Sequence, residues 1–148
     1  MGAWDYGVFD DDTACDFVID LFEREDVAGC CEKAFDNAIG SEYLEFDVGI
    51  EASVCGAVVD SVLNGTTYSY YFDPESDLEG EEQFINWISN IRKSTDLSVF
   101  NHLKDKAVRS LTLLISEKSE LCELWSENEE LFPKWRGVYE EMIERLRT

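Results

Sequence analysis

The chain has 148 residues, of which 45% are hydrophobic and 13% aromatic, enough for one packed domain and too rich for a disordered acidic tail. Its net charge is −21, and nearly all of it lies in residues 1–91, where 22 acids face two bases, Arg24 and Lys33, whereas residues 92–148 carry 11 acids and 10 bases. Such a field repels phosphate backbones and anionic membranes and attracts basic partners.

The opening MGAWDYGVFDDD has neither a basic n-region nor an apolar h-region. Tyr6 stands where a myristoylation motif needs Ser or Thr, and no apolar run is long enough to span a bilayer. A soluble, intracellular, cytoplasmic protein is expected, with no membrane partner.

Asp10, Asp11 and Asp12 precede a helical stripe of Ala14, Phe17, Val18, Leu21 and Phe22, where carboxylates cap free N–H groups. A second helix is predicted from about Asp26 to Ile39, with Val27, Cys31, Ala34, Phe35 and Ala38 inward and Gly40 ending it. The stretch Ile50–Leu63 is apolar on nearly all sides, as befits the centre of a bundle, and Asn64–Gly65 stops it.

Residues 66–72 read TTYSYYF, a β-like strand or an aromatic loop. Six acids follow within Asp73–Glu82. Helical spacing returns with Phe84, Ile88 and Ile91, with Trp87 to one side. Ser94–Thr95–Asp96 offers a cap for a long helix carrying Phe100, Leu103, Ala107, Leu111, Leu114 and Ile115. Leu121, Leu124 and Trp125 continue the pattern, and Pro133 opens a last helix through Trp135, Val138, Tyr139, Met142 and Leu146. The prediction is a single all-α domain over residues 1–148, a compact bundle of six or seven helices.

Catalytic signatures are missing. His102 is the sole histidine, no Gly-rich phosphate loop or metal-spaced His/Cys set occurs, and the five cysteines show no CxxC spacing. The cysteines read as buried reduced thiols, with one of Cys30 and Cys31 accessible because a helix cannot bury both. No enzyme activity, cofactor or metal is expected. Asp73, Glu75 and Asp77 sit at calcium-loop offsets, but Leu78 replaces the required glycine and Phe84 the final glutamate, which excludes an EF-hand. Lys104, Lys106 and Arg109 are too few for direct nucleic-acid binding.

The segment 68–82 is either a solvated charged loop or an interface. Tyr68, Tyr70 and Tyr71 beside Asp73, Glu75, Asp77, Glu79, Glu81 and Glu82 combine aromatic contact area with negative charge, the pairing that suits a basic partner.

Met1, Gly2, Ala3, Trp4, Gly7, Phe9, Asp11, Asp12, Ala14, Asp16 and Phe17 form a motif that resembles a bacterial all-helical family of unknown function, with Asp5 in place of the usual glycine. Ser119, Glu120, Leu121, Leu124, Trp125 and Trp135 resemble that family's ending, while residues 66–95 look like an insertion specific to this chain. The resemblance implies a small helical bacterial domain with no catalytic residues to carry over. By analogy, small acidic proteins of this kind resemble immunity proteins of contact-dependent growth inhibition and other polymorphic toxin systems. The expected function is therefore that of a toxin inhibitor, monomeric when free, covering the active site of a basic toxin, a ribonuclease by preference. The alternatives are a small ligand- or metal-binding module and a housekeeping domain.

Overall fold

A computed structural model describes residues 5–68 and 79–148, with side chains from 82 onward in the second stretch. Among the described residues eight helical segments follow one another, and Leu97–Asn101 is a single short turn, leaving seven helices of more substantial length. Among the described residues there is no sheet, and an isolated parallel bridge joins Leu44 and Ser119.

Helix α1, Asp12–Phe22, starts where the Asp11 carboxylate accepts a hydrogen bond from the Ala14 N–H at 3.0 Å. Its buried stripe is Ala14, Cys15, Val18 and Leu21. Helix α2, Val27–Ile39, is capped by Asp26, which accepts from the Gly29 N–H at 2.9 Å, and ends at Gly40 as the sequence predicts.

Helix α3, Phe46–Asn64, is the axis of the bundle and packs against every one of the other seven segments. Residues 52–62 are buried on all faces. Its small residues set the packing distance. A side chain at Gly49 would meet Leu121 Cδ1 at 3.0 Å, and one at Gly56 would meet Leu111 at 3.1 Å and Met142 Sδ at 3.2 Å. Gly65 closes the helix in the left-handed region (φ 71°), where residues with a Cβ are strained.

The helix begins four positions before the predicted Ile50. The Phe46 N–H donates to Glu120 Oε1 at 3.0 Å, so a side chain from far along the chain caps the first turn. Sequence periodicity carries no trace of such a partner.

Helix α4, Glu79–Ser94, buries Phe84, Ile88 and Ile91. Phe84 meets Phe9 at 5.3 Å between ring centroids, and Trp87 lies 4.8 Å from Phe22, so aromatic contacts tie α4 to the N-terminal part of the chain. Of the aromatic stretch expected at 66–72, Thr66–Tyr68 has no regular structure, and residues 69–72 lie outside the described residues.

The long helix expected from Phe100 to Ile115 is two elements, α5 (Leu97–Asn101) and α6 (Lys104–Leu114). Asp96 caps α5. At the junction the Leu103 N–H bonds to the Phe100 carbonyl at 2.9 Å, a tight three-residue turn that interrupts the α-helical ladder. Phe100 and Leu103 are both buried there, so the apolar spacing survives the break and hides it from a periodicity argument. Ser119 caps α7 (Glu120–Ser126), and α8 (Phe132–Arg147) carries Pro133 in its first turn. Trp125 and Trp135 stack at 6.1 Å to join those last two helices.

Candidate partner-binding surface

Burying Ala14, Val18 and Leu21 turns the opposite face of α1 outward. That face presents Asp12, Asp16 and Asp20, one per turn, all exposed. Glu23, Glu25 and Asp26 continue the exposed acids around the corner into α2. Asp20 pairs with Arg24 at 3.1 Å, while Asp12, Asp16, Glu23, Glu25 and Asp26 enter no ion pair among the described residues. The field is felt on the inner side of the same helix. Burial, followed by the carboxylates of Asp11, Asp12, Asp16 and Asp10, pushes the Cys15 thiol up to about 12.

A second acidic and aromatic patch comes from two segments remote in sequence. The Leu44–Ser119 bridge and the Glu120 cap of α3 bring residues 42–46 beside the start of α7. Tyr43 is 41% exposed, and its phenol is raised by partial desolvation and by the nearby carboxylates of Glu123 and Glu120. Exposed Glu42 and Glu45 flank it. The only sequence signal was local, acids around an aromatic in SEYLEF and again in SELCELW, with nothing to say that the two meet.

The sequence-predicted site residues have different positions. Tyr68 is half-buried and turned inward. Its hydroxyl donates to Asp60 Oδ2 at 2.6 Å, and its ring meets the edge of Phe9 at 6.1 Å. Burial, then the Asp60 charge, drives its phenol far above the usual tyrosine range. Glu82 is exposed. Glu79 and Glu81 lie in the first turn of α4. Tyr70, Tyr71, Asp73, Glu75 and Asp77 lie outside the described residues.

Asp60, which the sequence reading passed over, is fully buried within α3. Arg145 of α8 donates to it from Nε at 3.0 Å and pairs through its terminal nitrogen at 2.9 Å. Asn64 donates to the other oxygen at 2.8 Å. An acid within the apolar run VVDSVL was the available sign that a cation must reach it.

His102 is exposed at the end of α5, and Lys106 is occupied by Asp36 at 2.8 Å and Glu32 at 3.2 Å. Cys15, Cys31, Cys55 and Cys122 are buried and unoxidised, and Cys30 is the half-buried one. Burial raises the Cys30 thiol, which keeps it protonated and weakly nucleophilic. Among the described residues, no three His, Cys, Asp or Glu side chains converge as a metal site, and no helix is long and apolar enough to cross a membrane.

The family model described as a domain of unknown function (DUF4259) matches residues 2–138. The chain belongs to this family. No curated protein and no solved structure matches it. The stretch matched to DUF4259 includes the α1 acids and both halves of the Tyr43 patch, and it ends within α8. Arg145, the counter-charge of Asp60, lies beyond it.

Proposed function

We propose that this DUF4259 chain is a binding protein of the immunity type, neutralising a basic toxin by covering its active site, with a ribonuclease as the target chemistry. The observation that supports this reading is the row of exposed carboxylates on α1, which continues around the corner into α2 and is largely unpaired. Apart from Asp26, which caps α2, and Asp20, which pairs with Arg24, these charges have no ion-pair partner among the described residues and are available to a partner. A ribonuclease site is built to receive phosphates, so carboxylates fixed on a rigid helix fit where the RNA backbone would lie. The negative field would also steer encounter and raise the association rate.

The test is surface plasmon resonance against the product of the neighbouring upstream gene, together with its ribonuclease activity. The expected partner is basic and loses its activity on binding. Its on-rate falls about tenfold between low and high ionic strength. Two charge-reversed variants divide the surface: Asp12→Lys with Asp16→Lys on α1, and Glu79→Lys, Glu81→Lys with Glu82→Lys on α4. Slower association in either places the contact. Binding that ignores both salt and all five reversals would sink the mechanism, and a neutral or acidic neighbour that does not bind would sink the function.

A further inference from the structure

The chain is acidic almost everywhere, yet one groove has the opposite character. It is an open groove of about 370 Å³ between the end of α3 with the following residues and the side of α4 where the buried Phe84 and Ile88 give way to exposed Ile85. Phe84, Ile85 and Ile88 line it as apolar wall, Thr66 offers a hydroxyl, and Arg92 and Lys93 stand at one end. That volume lies toward the small end of the range for small-molecule sites, roughly 300–1,000 Å³.

Two independent features need an explanation. Ile85 is 43% exposed, one of only four large hydrophobic residues so exposed among the described residues. Arg92 and Lys93 are exposed and form no ion pair among the described residues, although acids outnumber bases almost threefold in the chain as a whole. Closing the last turn of α4 explains basic residues as such, since cations favour a helix C-terminus. It does not explain why they border an apolar hollow. Gly65 contributes to the opening: the Arg92 guanidinium passes 3.4 Å from where a Cβ would stand, so the absent side chain leaves room beside it.

We infer that this groove binds a small amphiphilic monoanion, a single aromatic ring or short acyl chain bearing one carboxylate. The apolar body would lie on Ile85 and Ile88, and the carboxylate would sit between Arg92 and Lys93, where the guanidinium fork matches its two oxygens. The overall charge selects the valence. A field of this sign penalises each added negative charge on the ligand, so the preference runs toward a single carboxylate over a phosphate-type dianion. A monoanion that draws much of its affinity from apolar burial escapes that penalty.

The experiment is calorimetric titration of the intact chain with 4-phenylbutyrate and octanoate, beside the matching alcohols 4-phenylbutan-1-ol and octan-1-ol, with amide chemical-shift mapping by NMR. The carboxylates should saturate one site and shift resonances of residues 61–67 and 84–93, with the alcohols at least tenfold weaker. Arg92→Glu with Lys93→Glu should weaken the carboxylates at least tenfold and leave the alcohols unchanged, while Ile85→Asp should weaken both classes. These side chains are exposed, so circular dichroism should show every variant folded. Equal affinity for acid and alcohol, shifts located elsewhere, or binding indifferent to the charge reversal would overturn the assignment. A dimer in sedimentation velocity that Ile85→Asp dissociates would give the groove to a second copy of the chain and overturn it equally.

Discussion

Asp60 and Asp16 are the same side chain on adjacent helices, and they illustrate opposite uses of a carboxylate. Asp60 lies on the axial helix with no exposed surface, and Arg145, Asn64 and Tyr68 all direct donors at it. Asp16 stands on the solvent side of α1 with no cation paired to it. A charge taken out of water must be matched or it unfolds its surroundings, so the first is bound to the fold. The second costs the fold little and remains available to whatever approaches. Net charge counts both equally, yet only the second kind can act on a partner.

Breaking the inner pair should have the largest effect. Arg145→Ala leaves Asp60 buried without its counter-charge and should cost about 3 kcal/mol in urea unfolding, near the low end for a broken buried pair because Arg145 itself is partly in solvent. Tyr68→Phe removes the hydroxyl that donates to Asp60 and accepts a longer hydrogen bond from Arg145 while keeping the ring on Phe9, and should cost about 2 kcal/mol in the same assay. If Tyr68→Phe proved neutral, the inward orientation of that hydroxyl would carry no energy, and Tyr68 would return to the list of surface contacts.

Burial of Cys15, reinforced by the neighbouring α1 carboxylates, has its own signature at high pH. The Cys15 thiol ionises in the unfolded chain near the ordinary value of about 9, but in the folded chain only at about 12. Across that window the unfolded state binds fewer protons, so stability is complete below pH 9 and declines as pH rises. The slope is at most about 1.4 kcal/mol per pH unit for this group. Tyr68 and Tyr139, raised chiefly by burial, should steepen the decline above pH 10. Unfolding midpoints at pH 8.5 and 10.5 check the trend, and Cys15→Ala should flatten its first part. The smallest expected change in stability completes the contrast: Asp16→Lys should leave the unfolding midpoint where it is while slowing association with a basic partner. An Asp16→Lys protein that unfolds as readily as Arg145→Ala would abolish the distinction between the two carboxylates.

The legible parts of this fold were those written in local chemistry. Asp11 and Asp96 sit beside the helix starts they cap, so their role follows from spacing alone. Gly65 after an apolar run marks a helix end for the same reason. The missed features depend on residues far apart in the chain. The first turn of α3 needs Glu120, and the buried carboxylate of Asp60 needs Arg145 as its ion-pair partner. The break at Leu103 was invisible because both sides of it keep their apolar residues inward. Of the predicted surface, Tyr68 was assigned outward because an aromatic among acids looks like a contact residue, whereas a buried acid close by in sequence claims its hydroxyl.

By itself the sequence determined the helical class, most helix positions, the burial of the cysteines and the sign of the field, because periodicity, capping and charge are properties of neighbouring residues. Only the tertiary structure decided which acids are spent on the fold and which stand free. It also brought Tyr43 near Glu120 and Glu123 and opened an apolar hollow beside Arg92 and Lys93. Those outcomes depend on which distant side chains share a site and on how much water reaches them, and neither quantity exists until the helices have packed.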